Sequence, residues 1–152
     1  MNQDSDINLL KFSVMIASLK TEDVLKIGKE LVKLGFDDIT DGGFWIWEVG
    51  TNIEFYSPKF RSVLGYEGEH DFPSLAQSWQ DSIHLADLKL AIRSFNKALE
   101  TGGEYPYDQF VTYSKKNGEK ISFTCSGKLL KLKGEFKYLI GTHKIEETTK
   151  LD

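Results

Sequence analysis

Residues 43–49 read Gly-Phe-Trp-Ile-Trp-Glu-Val, a run of large apolar side chains that predicts a strand. Successive side chains of an extended strand point to opposite faces of its sheet. Trp45 and Trp47 therefore share one face, and Phe44 and Ile46 share the other. Because both faces carry large apolar side chains, we expect other elements to cover both sides of the sheet.

The segment after this strand predicts a hairpin and then short helices. Residues 50–52, Gly-Thr-Asn, are typical of a tight turn into a second strand over 53–56. Ser57, which precedes a proline, can cap a short helix over 58–64. Residues 72–80 are expected to be irregular or briefly helical.

A long helix and three strands complete the predicted domain. Five apolar residues at helical spacing form the expected core stripe of the long helix: Leu85, Leu88, Ile92, Phe95 and Leu99. Strands are predicted over 105–114, 119–130 and 136–144, with turns at Asn117-Gly118 and Lys133-Gly134. The element order is two strands, short helices, a long helix and three strands.

The segment before this domain predicts two helices. Residues 7–19 carry apolar side chains on much of the helix circumference, so this helix needs cover on more than one side. Thr21, followed by two acidic residues, predicts the start of a second helix, and Gly35 predicts its end. The apolar residues of this second helix recur at helical spacing: Val24, Ile27, Leu31 and Leu34. It is therefore amphipathic and needs a partner surface.

The composition excludes several classes of protein. The chain has 152 residues, which fit one compact domain with a helical extension. Its 19 Lys and Arg against 23 Asp and Glu give a net charge of −4, so nucleic acid is not an expected partner. The single Cys125 allows no internal disulfide and no multi-thiolate metal site, which suggests a reducing cytoplasm. Polar residues interrupt the apolar residues of the first helix, so neither a secretory signal nor a membrane span is expected.

Seven short motifs, in order, resemble the PAS domain family, specifically the subgroup whose first strand reads Gly-x-Trp-x-Trp-acid. They are Gly43-Phe44-Trp45-Ile46-Trp47-Glu48, Phe55-Tyr56-Ser57-Pro58, Leu64-Gly65-Tyr66, Trp79, Ile83-His84-Leu85-Ala86-Asp87, Lys116-Asn117-Gly118 and Gly141-Thr142. The resemblance covers residues 43–144 and implies an α+β fold, a five-stranded antiparallel sheet with short helices and one long helix on one face. We expect residues 1–42 to form an N-terminal helical extension, 43–145 the PAS domain and 146–152 a C-terminal tail.

The chain departs from the family pattern at two places. Leu85 stands where the family has a proline before the long helix, but Asp87 can still serve the N-terminus of that helix. Residues 143–148 lack the Asp-Ile-Thr that usually ends the last strand and couples to an effector. Only about eight residues follow Lys144, so we expect no effector in this chain, which is either a stand-alone module or a piece of a larger sensor, and we expect any output to pass through association.

The resemblance also bears on cofactors. The flavin-binding type carries Asn-Cys-Arg-Phe on its central helix, and this chain has no Cys there. The haem type carries a His within the long helix, and residues 85–100 contain none. Neither flavin-adduct chemistry nor haem is predicted, while an unknown small molecule is left open. No metal is predicted either, because the three histidines show no metal-ligand spacing. His70 is expected in solvent, His84 in a capping or loop-bonding role, and His143 exposed on the last strand.

No catalytic assembly stands out, and we expect no enzyme. Cys125 belongs to the inward positions of an alternating strand and is expected in the core. Ser57 is expected to cap its helix rather than to act as a nucleophile. Four acidic side chains that could pair are expected on the solvated surface: Glu48, Glu54, Asp81 and Asp87.

Two sets of apolar residues carry the functional prediction. The inner set either fills a core or lines a ligand pocket between sheet and helices: Trp45, Trp47, Phe55, Trp79, Phe95, Phe123 and Tyr138. The outer set needs a cover and provides the interface candidates: Phe44, Ile46 and Leu139 with Phe12 and Ile16 of the first helix. The N-terminal helices cover it within one chain or between two chains, and a homodimer is the predicted state.

The predicted function is a sensory or signalling module that binds a small ligand or a protein partner and transmits by association. The alternative is a ligand-free module with a filled aromatic core that acts only by homo- or hetero-association. An enzyme in the small cavity is least favoured, because no assembly of acid, base or nucleophile is visible.

Overall fold

The computed structural model describes residues 3–102, 107–132 and 135–146. The helices are α1 (Gln3–Ser18), α2 (Val24–Lys33), α3 (Pro58–Leu64), α4 (Ala76–Ser82) and α5 (Leu85–Glu100), with a 3₁₀ turn at Phe36–Asp38. The strands are β1 (Phe44–Glu48), β2 (Glu54–Tyr56), β3 (Tyr107–Ser114), β4 (Lys120–Leu132) and β5 (Glu135–Ile145). The predicted order of elements is confirmed.

The strands form one antiparallel sheet in the order β2-β1-β5-β4-β3. The first strand, β1, and the last strand, β5, therefore lie side by side inside the sheet. There Trp45 lies opposite Gly141, and Trp47 lies opposite Leu139. A Cβ atom on Gly141 would sit 2.2 Å from the indole ring of Trp45, so only glycine lets this ring lie across β5. The fold is α+β, as predicted.

The two faces of the sheet are covered by different helices. On the inner face, α3, α4 and α5 bury an aromatic core that includes Phe60, Trp79 and Phe123. On the outer face, α1 and α2 bury a second cluster that includes Phe44 and Ile46. Both faces of β1 are buried, as its sequence requires.

The outer cover comes from the same chain. The ring of Phe12 on α1 lies 4.8 Å from that of Phe36 and 5.0 Å from that of Phe44. On α2, Gly28 faces the ring of Phe55 so closely that a Cβ atom would lie 2.3 Å from it. The helix α2 starts at Asp23 rather than at Thr21, because the Asp23 carboxylate accepts the first free N–H groups of the helix.

The residues that α5 buries differ from its predicted core stripe. Leu85 is 68% exposed and Ile92 is 41% exposed, so assigning these two to the core was wrong. The fully buried residues of the helix are Ala91 and Ala98, whose small side chains allow close approach to the sheet. Asp87 also turns α5 towards β3, since its carboxylate accepts the backbone N–H of a β3 residue at 2.8 Å.

The turn at Asn117-Gly118 forms as predicted, with Gly118 at a φ of 89°. The predicted Lys133-Gly134 turn and the start of the third strand at residue 105 lie outside the described residues, as do residues 147–152 of the predicted tail. A one-residue register shift interrupts the β4–β5 pairing between Leu130 and Lys131.

Several hydrogen bonds tie the N-terminal segment to the domain. The Asp37 carboxylate accepts the backbone N–H of Lys59 at the start of α3 (2.9 Å), and Asp41 accepts that of Ile145 (2.8 Å). The backbone of His143 bonds both residues before β1, donating to Gly43 O and accepting from Gly42 N. The helical extension is therefore fastened to the middle of the sheet.

Candidate functional site

The inner face carries the candidate site, whose centre is an aromatic cluster around Phe95. The ring of Phe95 lies 5.5 Å from that of Trp79, 5.9 Å from that of Trp47 and 6.2 Å from that of Trp45. These rings come from α5, α4 and β1. They close the space between the sheet and the helices.

A small cavity remains among these side chains. Its lining consists of Trp45, Glu54, Trp79, Phe95, Cys125 and His143. The cavity measures about 10 Å³. That is room for about one water molecule. The lining is mostly aromatic, but two ionisable side chains face it.

The first of these, His143, is held by a chain of hydrogen bonds through the core. The indole Nε1–H of Trp79 donates to the hydroxyl of Tyr113 at 2.8 Å. That hydroxyl lies 2.9 Å from Nε2 of His143. The hydroxyl can accept the indole proton and at the same time donate its own proton to Nε2. His143 then carries its proton on Nδ1.

Burial controls the charge of His143. Its side chain is 1% exposed, and loss of hydration lowers its pKa from 6.5 to about 3. The ring also stacks on that of Phe60, with centroids 4.4 Å apart. Nδ1 has no hydrogen-bond partner among the described residues. A buried donor without a partner costs about 1–3 kcal/mol.

The second ionisable side chain, Glu54, lies on β2 and is 6% exposed. Burial raises the pKa of its carboxyl group from 4.5 to about 8, so the group is protonated at neutral pH. A hydrogen bond with the hydroxyl of Tyr56 lowers this pKa, but the effect of burial is larger. The cavity therefore contains a neutral acid and a neutral base.

A buried arginine secures the wall of this region. Arg61 on α3 donates to the backbone carbonyls of Phe72 (3.0 Å) and Tyr56 (2.9 Å) and to the hydroxyl of Ser74 (3.0 Å). Burial lowers the pKa of this guanidinium. Arg61 thus joins β2 to the loop that leads into α4, and so helps to position Trp79.

Comparison with known proteins decides the family. A family model described as the PAS fold matches residues 53–143, more than half of the chain. The chain belongs to the PAS family. PAS sensor domains are generally non-catalytic signalling modules.

Solved structures of PAS and light-oxygen-voltage domains share the fold. A sensory box histidine kinase/response regulator from Burkholderia thailandensis is 23% identical with a TM-score of 0.58, over 76% of this chain and 83% of that one. The N-terminal domain of a diguanylate cyclase with a PAS/PAC sensor from Marinobacter aquaeolei is 16% identical with a TM-score of 0.57, over 67% and 92%. A light-oxygen-voltage domain studied with a flavin analogue is 15% identical with a TM-score of 0.55, over 78% and 83%. Among curated proteins, none matches the chain.

Five of the seven predicted inner residues lie on the inner face of this PAS domain: Trp45, Trp47, Trp79, Phe95 and Phe123. Trp45, Trp79 and Phe95 line the cavity itself. Trp47 lies further along β1, and its indole N–H donates to Thr51 O at 2.7 Å. Their role in binding a ligand stays a prediction.

The placement of Phe55 and Tyr138 on the inner face was wrong, since both lie in the outer cluster. Neighbouring residues of these strands were also placed on the wrong face, because an error of one residue moves every side chain of a strand to the other face. Glu54 was expected in solvent and His143 was expected to be exposed, yet both are buried beside the cavity. Apolar residues occupy both faces of β5, so alternation alone could not separate them.

The predicted interface residues are all covered within one chain. Phe44, Ile46, Phe12 and Ile16 are buried in the outer cluster, between the sheet and the N-terminal helices. Leu139 is buried in the inner cluster instead, so its assignment to the outer face was wrong. The homodimer stays a prediction, but these side chains do not offer its contact surface in this conformation.

The remaining candidate side chains have structural positions. Ser57 caps α3, as predicted, and also accepts the backbone N–H of Phe44 at 3.0 Å. Cys125 is buried, as predicted. His84 occupies the N-cap position of α5, but its ring meets the Lys120 ammonium at 2.7 Å instead of capping the helix.

Two further properties concern the described part of the chain. Within it, no three His, Cys, Asp or Glu side chains come together as a metal site would require. No helix there is both long enough and apolar enough to cross a membrane.

Proposed function

We propose that the protein is a signalling PAS module with a filled core that acts by association, as a homodimer, rather than through a resident organic cofactor. The observation that carries this proposal is the size of the inner cavity, about 10 Å³. Organic ligands occupy pockets of about 300–1,000 Å³. The similarity to a sensory histidine kinase and to a diguanylate cyclase with a PAS sensor supports a role in signal transduction.

The helix α1 supplies the surface for this association. Its inner side is buried on the sheet through Leu9, Phe12 and Ile16. On its outer side Leu10 is 53% exposed and Val14 is 63% exposed, one helical turn apart. An apolar stripe on a helix that already covers a sheet is typical of an interface. The sequence predicted that this helix needs cover on more than one side, and a second copy of α1 would provide it.

The oligomeric state tests this proposal directly. Light scattering during size-exclusion chromatography should give a dimer for the wild type and a monomer for the double variant Leu10→Lys/Val14→Lys. The matched control is Leu90→Lys on α5, where a leucine is 44% exposed away from α1. This control should stay dimeric. A monomeric wild type at micromolar concentration, or a dimeric double variant, would contradict the proposal.

A ligand-binding form is the second candidate, and two buried polar side chains that face the cavity, Glu54 and His143, favour it. Native mass spectrometry of the purified protein distinguishes the two candidates. The filled core predicts the mass of the chain alone. A retained small organic molecule would replace the association proposal by a ligand-sensing one. The cytoplasmic location stays a prediction from the single cysteine.

A further inference from the structure

We propose that the inner cavity is a binding site for one water molecule, which accepts a hydrogen bond from Nδ1–H of His143 and donates one to the carboxyl group of Glu54. Both side chains line the cavity, and its volume of about 10 Å³ is close to what one water needs. This inference does not depend on the oligomeric state.

The unpartnered nitrogen of His143 carries the inference. Buried polar groups in folded proteins nearly always have a hydrogen-bond partner, from the protein or from ordered water. Nδ1 of His143 is buried and has none among the described residues. Because Nε2 already meets the hydroxyl of Tyr113, a 180° turn of the ring would place a carbon atom at that hydroxyl and break this contact. A molecule in the cavity satisfies Nδ1 without breaking this bond.

The lining of the cavity favours water over an ion. Protonated Glu54 and neutral His143 leave no net charge at neutral pH, so neither an anion nor a cation is attracted. No group suited to hold a metal is present in the described part of the chain.

The bound water would complete a hydrogen-bonded chain across the domain. It would run from Trp79 on α4 through Tyr113 on β3 and His143 on β5 to Glu54 on β2. Both edge strands of the sheet, β2 and β3, would then be joined through the core. The backbone of His143 is also bonded to Gly42 and Gly43, where the helical extension meets β1.

Nuclear magnetic resonance of the ¹⁵N-labelled full chain at neutral pH tests the site. We expect the His143 ring to show a protonated Nδ1 and an unprotonated Nε2. The Nδ1 proton should give a cross-peak to a long-lived water. The Nε2–H form of the ring, or no such cross-peak, would overturn the inference.

Two variants sharpen this test. Cys125→Leu adds side-chain volume to the cavity wall and should abolish the water cross-peak, while Lys128→Leu, on an exposed position of the same strand, should keep it. If Cys125→Leu does not fold, Tyr113→Phe serves instead. Loss of the Tyr113 hydroxyl should reduce the Nδ1–H population of His143 and weaken the cross-peak. An unchanged cross-peak in a folded Cys125→Leu protein would refute the assignment.

Discussion

The imidazole of His143 lies flat against the ring of Phe60, with centroids 4.4 Å apart and planes inclined by 14°. This contact joins β5 to α3 in the middle of the aromatic core. Burial lowers the pKa of His143 to about 3, and it raises the pKa of Glu54, which lines the same cavity, to about 8. The stability of the domain should therefore depend on pH through these two groups.

At alkaline pH we expect Glu54 to weaken the fold. The folded state holds its proton up to a pKa of about 8, whereas the unfolded chain loses it near 4.5. Unfolding thus releases a proton between pH 4.5 and about pH 8. The contribution of Glu54 to stability is therefore fully present below pH 4.5 and is lost as the pH rises through about 8. Glu54→Gln, which stays neutral, should remove this loss. At about pH 9 it should be more stable than the wild type by roughly 3–5 kcal/mol in urea denaturation.

A matched control for this prediction is Glu100→Gln at the exposed end of α5. It should keep the alkaline loss of stability seen in the wild type. If Glu54→Gln shows the same alkaline loss of stability as the wild type, that loss does not come from Glu54.

At acid pH we expect protonation of His143 to dominate the pH dependence of stability. The unfolded chain binds a proton at this residue below 6.5, and the folded state does so only below about 3. Falling pH therefore favours unfolding across this interval. Together the two groups predict a plateau of highest stability between about pH 4.5 and about pH 6.5, measurable as the urea midpoint against pH. A urea midpoint that keeps rising up to pH 8 would contradict this plateau.

Close packing of α2 on the sheet predicts a large effect of a small substitution. In Gly28→Ala the new methyl group would lie 2.3 Å from the ring of Phe55. Although alanine favours helices by about 1 kcal/mol over glycine, overpacking costs about 1–3 kcal/mol, so we expect a net loss of stability. Lys29→Ala, on the exposed side of the same helix, should have little effect. In a Phe55→Leu background the loss caused by Gly28→Ala should shrink, and an undiminished loss would show that the two residues do not collide.

The Arg61 guanidinium should be essential for the order of the loop before α4. Arg61→Met keeps much of the volume but removes three hydrogen bonds to Phe72, Tyr56 and Ser74. Buried carbonyl groups left without donors cost about 1–3 kcal/mol each, so we expect a loss of at least about 2 kcal/mol. Hydrogen exchange should also speed up at residues 72–75. Arg93→Met, at an exposed position of α5, is the control and should leave both measurements unchanged.

Ser57 should contribute more than an ordinary helix cap. Its hydroxyl accepts the N–H of Phe60 in α3 and that of Phe44 in β1, at 3.4 and 3.0 Å. Ser57→Ala should lower the free energy of unfolding by about 1–2 kcal/mol, at the upper end for a cap. Ser62→Ala, on the exposed side of the same helix, should change it by less than about 0.5 kcal/mol. Equal effects of the two substitutions would contradict this role.

Much of the fold could be predicted because it depends on local features. The helix α3 follows from Ser57 and the proline after it, and the turn at Asn117-Gly118 follows from a glycine that tolerates a positive φ. The doubly apolar sequence of β1 required cover on both sides of the sheet. These features involve neighbouring residues, so their effect is visible in the order of the residues.

The candidate site was less predictable. The aromatic residues Trp45, Trp79 and Phe95 were expected near the cavity and line it. Glu54 and His143 were missed, because acidic residues are mostly exposed and nothing in the order of residues along β5 indicated a buried histidine. The structure places Phe55 on the outer face, so its neighbour Glu54 faces inwards, since adjacent strand residues face opposite ways.

The order of elements and the need for an outer cover follow from the sequence, because periodicity, turn residues and capping residues act over short distances, and seven short motifs carry the resemblance to the PAS family. The inward faces of β2 and β5, the cover of the sheet by α1 and α2 of the same chain and the size of the inner cavity depend on tertiary packing. The reason is physical. On β5 both faces are apolar, and the choice between them depends on the fit of Trp45 over Gly141 and of Phe60 against His143, residues far apart in the chain.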